Sequence, residues 1–181
     1  MSLFRNKYRN ESARMPGWDY RNAGAYFITI VTKNRAPYFG KIENGCMTYS
    51  PVGAIANVLW NEIEHHEKNL VQLGEMVVMP DHLHGIIILP DPPVGTLHAT
   101  SPRAEMHATS QREGISPKSG SISTIIRSYK SAVTKYAHRL GFEFEWQTRF
   151  HDRIIRNTDE YLSIEKYIKN NPEKWTKDRF S

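Results

Sequence analysis

Residues 77–90, VVMPDHLHGIIILP, restrict the fold and the chemistry of this chain more than any other stretch. Two runs rich in Val and Ile predict two strands, and Pro80-Asp81 between them predicts the turn of a hairpin. His82 and His84 stand at the start of the second strand, although histidine is a weak strand former and is costly to bury. Because side chains alternate along a strand, both histidines should lie on one face, where they can bind one metal ion. Taken alone, such a pair is more often two surface histidines or two hydrogen-bonded core histidines.

The elements around this hairpin predict a mixed α+β domain. Ser50-Pro51 is typical of a helix N-cap followed by proline in the first turn. Asn157 or Thr158 can cap the last helix, and Pro172 should end it. In chain order we predict a strand at 25–32, a helix at 51–66, strands at 74–79 and 82–89, a helix at 121–140, an extended segment at 142–157 and a helix at 159–171. This order predicts a ferredoxin-like sandwich, β-α-β-β-α-β, with an added C-terminal helix.

The length and composition predict one domain. A chain of 181 residues, 39% of them hydrophobic, can bury one sizeable core, so we expect a single domain over residues 1–181. Residues 1–15 predict a flexible basic arm, and residues 90–120, rich in Pro, Ser, Thr and Gly, predict a flexible insertion. Cys46 is the only cysteine, and we interpret it as a small buried core residue in a reducing cytosol. No apolar run approaches the ~18 residues of a membrane span, so we expect a cytoplasmic protein with no membrane partner.

The charge distribution favours an anionic partner, although a basic excess can also be a solubilising surface. The net charge is +5, and residues 121–181 carry 12 Lys plus Arg against 8 Asp plus Glu. In the predicted helix at 121–140 an apolar stripe should face the core, formed by Ile122, Ile125, Ile126, Tyr129, Val133 and Tyr136. Outside that stripe, Arg127 and Lys130 could be a solvated face or a track for phosphates.

A second group of candidates for contacts with nucleic acid follows that helix. The group combines one aromatic side chain with polar and basic ones. Its members are Trp146, Gln147, Arg149, Arg153 and Arg156. The aromatic ring could stack on a base while the arginines contact phosphates. A strand with arginines on its wet face would show the same pattern.

Five segments, in the same order, resemble the REP-associated tyrosine transposases, a group within the single-tyrosine transposases that carry a His-hydrophobe-His motif. They are PGWDYRNAGAYFITIVTKNR, MPDHLHGIIIL, ISTIIRSYKSAVT, WQTRFHDRIIRN and YIKNNPEKW, and the resemblance covers residues 16–89 and 121–175. It implies a ferredoxin-like enzyme that cuts and rejoins single-stranded DNA beside a hairpin through a 5′-phosphotyrosine bond. It also implies repetitive palindromic DNA as partner and a bacterial cytoplasm, with the protein on the nucleoid when bound to DNA.

The resemblance also implies roles for individual residues. The metal-binding histidines of the family match His82 and His84, its nucleophilic tyrosine matches Tyr167, and a further polar metal ligand matches Asn171. Phosphodiester cleavage gains from a divalent cation, and an oxygen-rich substrate favours Mg²⁺ or Mn²⁺. Tyr167 and Asn171, four residues apart, should share a helix face. Tyr167 could instead be a packing residue and Asn171 a helix-ending residue, whereas we interpret Tyr161 as packing.

Three functions of different classes remain open from the residues. The favoured one is a metal-dependent DNA endonuclease and strand transferase that uses Tyr167. The second is a noncatalytic module that binds single-stranded nucleic acid and needs neither metal nor tyrosine. The third is a metal-dependent phosphodiesterase that uses water. A monomer and a homodimer are both compatible with the sequence.

Overall fold

The computed structural model describes residues 22–66, 71–90 and 120–178. The predicted basic arm at 1–15 and nearly all of the predicted insertion at 90–120 lie outside the described residues. Within them the elements are β1 (Gly24–Val31), a 3-10 turn (Lys33–Arg35), β2 (Gly40–Glu43), β3 (Cys46–Tyr49), α1 (Pro51–Asn61), α2 (Ile63–His66), β4 (Gln72–Val78), β5 (His82–Leu89), α3 (Ile122–Arg139), β6 (His151–Ile155), α4 (Thr158–Lys169) and α5 (Asn171–Asp178).

The central sheet confirms the predicted ferredoxin-like fold. In the described part of the chain it has four strands in the order β4-β5-β1-β6, and each neighbouring pair is antiparallel. The helices α1 and α3 connect β1 to β4 and β5 to β6, which gives the β-α-β-β-α-β unit. The predicted C-terminal helix is α4. Among the helices of the described residues, none is long and apolar enough to span a membrane.

The two faces of the sheet are covered by different helices. On one face, Tyr26, Ile28 and Ile30 of β1 pack in the main core with side chains of α1 and α3. On the other face, Ile86 of β5 packs against Ile168 of α4. Because His82 and His84 have the same parity as Ile86 on β5, they lie on the face that α4 covers.

A glycine in the histidine strand is explained by the core. A Cβ atom on Gly85 would lie 2.3 Å from Cζ2 of Trp60, which is buried beneath the strand. The indole therefore occupies the space that a side chain would need, and β5 approaches α1 closely at this point. The residue between His84 and Ile86 is small because it faces the large aromatic side chain of the main core.

The helix starts follow the predicted capping chemistry, but one helix end differs. Oγ of Ser50 accepts a hydrogen bond from the amide of Gly53, and the side chain of Asn157 accepts one from the amide of Glu160. The predicted helix to residue 171 ends earlier, because α4 stops at Lys169. A new helix, α5, begins at residue 171, so the proline after it opens a helix.

Some sequence predictions were wrong. The hairpin of β2 and β3 was not predicted, although Asn44-Gly45 is a typical two-residue turn and both residues have positive φ, 51° and 74°. Cys46 is exposed on this hairpin instead of buried. Tyr136, expected on the core stripe of α3, is 45% exposed, and Ala137 is buried instead. The long first helix is divided into α1 and α2.

Candidate active site

The two histidines of β5 form the centre of the site. His82 and His84 are 8% and 7% exposed, and their ring centroids lie 4.6 Å apart. Across the sheet, His84 pairs with Thr29 of β1, and His82 pairs with Val31. The strand alternation anticipated from the sequence therefore places both imidazoles next to each other on one face.

Each imidazole is held through its Nδ1 atom. Nδ1 of His82 lies 2.6 Å from Oδ1 of Asp81, and Nδ1 of His84 lies 2.8 Å from Oγ1 of Thr29. These contacts fix the rings and direct Nε2 of each away from its anchoring partner. Hydrogen bonds of this kind orient the histidine ligands of metal sites and make them more basic towards the ion.

Burial controls the charge of His84. It lowers the pKa of His84 to about 3, with a smaller contribution in the same direction from His82, while Asp81 acts in the opposite direction. The imidazole is therefore neutral at physiological pH. A base with so low a pKa accepts a proton poorly, so the ring is better suited to donate its lone pair to a cation than to act as a general base.

Tyr167 reaches the same site from α4. Its hydroxyl lies 3.4 Å from Nε2 of His84, and its ring meets the edge of the imidazole with centroids 5.4 Å apart. The ring also meets the side chain of Phe27 edge-on, with centroids 6.1 Å apart. Tyr167 is 43% exposed, so its side chain is partly open to solvent.

Two other tyrosines have packing roles, in agreement with the interpretation of the sequence. Tyr161, six residues before Tyr167 on α4, packs in the small core with Ile164 and Ile168. Tyr129 of α3 is buried, and its hydroxyl donates a hydrogen bond to the carbonyl of Ala56, 2.9 Å away. Of these three tyrosines, only Tyr167 is joined to the histidines by a described contact.

The helix α5 completes the surroundings of the histidines. Asn171 is buried, with 6% of its surface exposed, and it is the first residue of α5. Because Tyr167 belongs to α4, Asn171 does not lie one turn beyond it on a common helix, as the sequence predicted. The ring of Trp175 lies 5.6 Å from that of His82, tilted by 38°. The site is therefore enclosed by a sheet face and by two consecutive helices. The metal-binding role of Asn171 stays a prediction.

The donor set fits a divalent cation in part. Two anchored imidazoles have the chemistry of metal ligands, and an imidazole that binds through its lone pair leaves the charge of an ion available to an anionic substrate. Within residues 22–66, 71–90 and 120–178 there is no group of three or more His, Cys, Asp or Glu side chains that could hold a metal ion. Any further ligands would be of other types, such as the amide oxygen of Asn171, water or substrate oxygen.

The predicted DNA contacts lie at several different positions along the sheet. The segment with Trp146, Gln147 and Arg149 lies at the histidine end of the sheet, because the amide of Gln147 donates to the carbonyl of Val31, the partner of His82. Arg153 lies midway along β6, where its guanidinium forms an ion pair with Glu160 at 2.5 Å. The structure places the exposed Arg156 after β6, at the opposite end of the sheet.

Side chains of α3 approach this segment from the other side of the sheet. The ammonium of Lys130 donates to the carbonyl of Gln147, and the indole N–H of Trp146 donates to the carbonyl of Lys130. The ring of Trp146 also packs against the rings of Phe39 and Phe144. Arg127 is exposed on α3, away from the histidine face. The DNA-binding roles of these residues stay predictions.

The site contains residues that sequence reasoning did not identify. Asp81 and Thr29 anchor the histidines, Trp175 borders His82, and His151 is the partner of Thr29 on its other side. A signal for Thr29 was available, because in the strand AYFITIVT it alternates with the core residues Ile28 and Ile30 and so lies on the opposite face. Contacts from α5 depend on tertiary packing, and no local pattern indicates them.

Comparisons with known proteins agree with this fold. No family model matches the chain. It is 34% identical over 174 residues to an uncharacterized protein of Haemophilus influenzae, across 95% of this chain and 93% of that protein. A solved REP-associated tyrosine transposase bound to a REP hairpin superposes with a TM-score of 0.56 and 21% identity, covering 89% of this chain and 73% of the other. The chain therefore belongs to one family with the H. influenzae protein, and its fold is that of the REP-associated tyrosine transposases.

Proposed function

We propose that this protein is a metal-dependent endonuclease and strand transferase that cleaves and rejoins single-stranded DNA next to a hairpin. The observation that carries the proposal is the contact of the Tyr167 hydroxyl with Nε2 of His84, 3.4 Å apart, beside a second anchored histidine. This brings a partly exposed tyrosine to a place where two imidazoles can hold a cation.

The chemistry assigned to Tyr167 is a transesterification. Its phenolic oxygen attacks the phosphorus and loses its proton, the bond from phosphorus to the 3′ oxygen breaks, and the departing strand takes up a proton as a free 3′ hydroxyl. The product is a 5′-phosphotyrosine. Attack by a 3′ hydroxyl reverses the reaction and releases Tyr167, so the strand is resealed without an external energy source.

His82 and His84, with Asn171, would hold Mg²⁺ or Mn²⁺. Such an ion, when bound, offsets the negative charge of the phosphate and favours the phenolate form of a nearby tyrosine, whose usual pKa is ~10. Asp81 and Thr29 keep the imidazoles in place for this role through their contacts with Nδ1. The sole cysteine, Cys46, lies on the β2–β3 hairpin, and oxygen-rich substrates suit hard cations.

The proposed partner is DNA that contains a hairpin of a repetitive palindromic element with a single-stranded flank. The structurally similar transposase is bound to a REP hairpin, and the net charge of +5 of the present chain suits an anionic polymer. Arg127, Lys130, Arg149, Arg153 and Arg156 supply candidate phosphate contacts. The proposal is compatible with a monomer or a homodimer.

One experiment separates the strand transferase from the two other functions. A hairpin with a single-stranded flank, nicked near the cleavage position, is incubated with protein and Mg²⁺ and analysed on a denaturing gel. We expect a covalent protein–DNA adduct, because release of the short fragment prevents resealing. Cleavage without adduct would indicate a phosphodiesterase that uses water, and binding without cleavage would indicate a noncatalytic module.

A further inference from the structure

The proposed cleavage needs a proton donor for the oxygen that leaves the phosphorus atom. An alkoxide is a poor leaving group unless an acid protonates it as the bond breaks. His84 is neutral at physiological pH, because burial lowers its pKa to about 3, and Tyr167 is the proposed nucleophile. Arginine does not give up its proton in proteins, which excludes Arg149 and Arg153. The donor must therefore be another side chain of the histidine face.

His151 lies on this face, two strands away from His84. Thr29 of β1 pairs with His84 of β5 on one side and with His151 of β6 on the other, so the three residues form one row across the sheet. Ile155, which has the same parity as His151 on β6, packs in the small core under α4 and so identifies the face. Because directly paired Cα atoms of antiparallel strands are ~5 Å apart, the Cα atoms of His84 and His151 are separated by roughly 10 Å.

The side chain of His151 is available for proton transfer. It is exposed, and within residues 22–66, 71–90 and 120–178 it forms no side-chain hydrogen bond, ion pair or ring contact. His82 and His84, in contrast, are held through Nδ1. His151 is not placed as a third metal ligand either, since the same residues contain no group of three His, Cys, Asp or Glu side chains that could hold an ion. An exposed imidazole can reach a substrate atom and exchange protons with water.

We infer that His151 is the general acid of the strand transfer and that, in its protonated form, it donates a proton to the departing 3′ oxygen. The inference rests on the proposed function for the reaction. The hydroxyl of Tyr167 lies at His84, on the β5 side of the row. In an in-line displacement the leaving oxygen is on the opposite side of the phosphorus, which is the side of β6 and His151.

The proton transfer balances in both directions of the reaction. As the bond from phosphorus to the 3′ oxygen breaks, its electron pair stays on the oxygen, and the imidazolium of His151 transfers a proton there and becomes neutral. During rejoining, the neutral imidazole takes the proton from the attacking 3′ hydroxyl. One side chain therefore serves cleavage as an acid and rejoining as a base.

The test compares two hairpin substrates that differ in one atom at the scissile phosphate. One has the natural 3′ oxygen, and the other has a bridging 3′ sulfur, which leaves as a thiolate without an acid because thiols are weak bases. Adduct formation in Mg²⁺ is timed on denaturing gels for the parent, His151→Ala and His151→Gln. Glutamine keeps a polar side chain but cannot carry the proton. With oxygen, both variants should be slower than the parent by about 10²-fold or more, and with sulfur they should match it.

Three controls accompany these rates. Tyr167→Phe should form no adduct with either substrate, because the nucleophile is missing. His66→Ala removes an exposed imidazole at the end of α2 and should match the parent with both substrates. Thermal unfolding and the anisotropy of uncleaved hairpin DNA should be almost unchanged in the two His151 variants, because this side chain is exposed.

The outcomes separate this inference from the proposed function. If the His151 variants are slowed equally with oxygen and sulfur, the residue acts through binding or folding, and the inference is wrong while the adduct of the parent upholds the proposed function. Rates equal to the parent with the oxygen substrate would also refute the inference. If the parent forms no adduct with either substrate, the proposed function fails, and the role of His151 fails with it.

Discussion

Replacing Tyr167 with phenylalanine should remove catalysis while leaving the fold almost unchanged. The hydroxyl makes a long contact of 3.4 Å with His84, and the side chain is 43% exposed. Loss of such a hydrogen bond should lower the free energy of unfolding by no more than about 1 kcal/mol. The ring and its edge contact with Phe27 remain, so binding of hairpin DNA should also be preserved. Adduct formation should fall by orders of magnitude, since a ring carbon cannot replace the attacking oxygen.

Tyr161→Phe is the control on the same helix. The hydroxyl of Tyr161 lies against Gly74 of β4, so this variant removes an equivalent oxygen from a packing position. Thermal unfolding, anisotropy with hairpin DNA and adduct formation on a denaturing gel would be measured for both variants. If Tyr167→Phe still forms the covalent adduct and Tyr161→Phe does not, the assignment of the nucleophile to Tyr167 is wrong. Full activity of both variants would refute covalent tyrosine catalysis.

Other perturbations test the metal, the DNA and the core. Alanine at both His82 and His84 should abolish cleavage in Mg²⁺ while circular dichroism and DNA affinity remain close to the parent; normal cutting would exclude the metal assignment. DNA affinity should fall steeply between low and high salt, and a hairpin with a flank should outcompete blunt duplex; equal, salt-independent binding would contradict the proposed partner. Gly85→Ala should lower the free energy of unfolding by about 1–3 kcal/mol, measured by denaturant titration, because its Cβ would lie 2.3 Å from Trp60.

The part of the site that lies on one hairpin could be predicted from the sequence. The alternation of side chains along β5 is a local property, so His82 and His84 could be placed on one face before their neighbours were known. Thr29 required the pairing of β1 with β5, a contact between residues 55 positions apart. Strand pairing of this kind is set by tertiary packing, and the pattern of a single strand does not specify its partner.

Errors in the core prediction have a similar origin. The stripe of α3 extends to Tyr136 by helical spacing, but the neighbouring elements cover Ala137 and leave the tyrosine 45% exposed. Cys46 was judged by the usual burial of free cysteines, whereas it lies on an exposed two-stranded hairpin. The Asn44-Gly45 turn of that hairpin was a local signal that could have been recognised, because both residues favour positive φ.

The helix break near Pro172 explains how the site can be built from residues close in sequence. Proline has no N–H to bond to the carbonyl four residues earlier, so it interrupts a helix, and its fixed φ suits the first turn of a new helix. Accordingly α4 ends at Lys169 and α5 begins two residues later. On an unbroken helix, Trp175 would lie about 12 Å along the axis from Tyr167. With the break, Tyr167 contacts His84 while Trp175 lies beside His82, so two helices enclose two adjacent imidazoles. The angle between these helices therefore influences how the proposed nucleophile approaches the histidines.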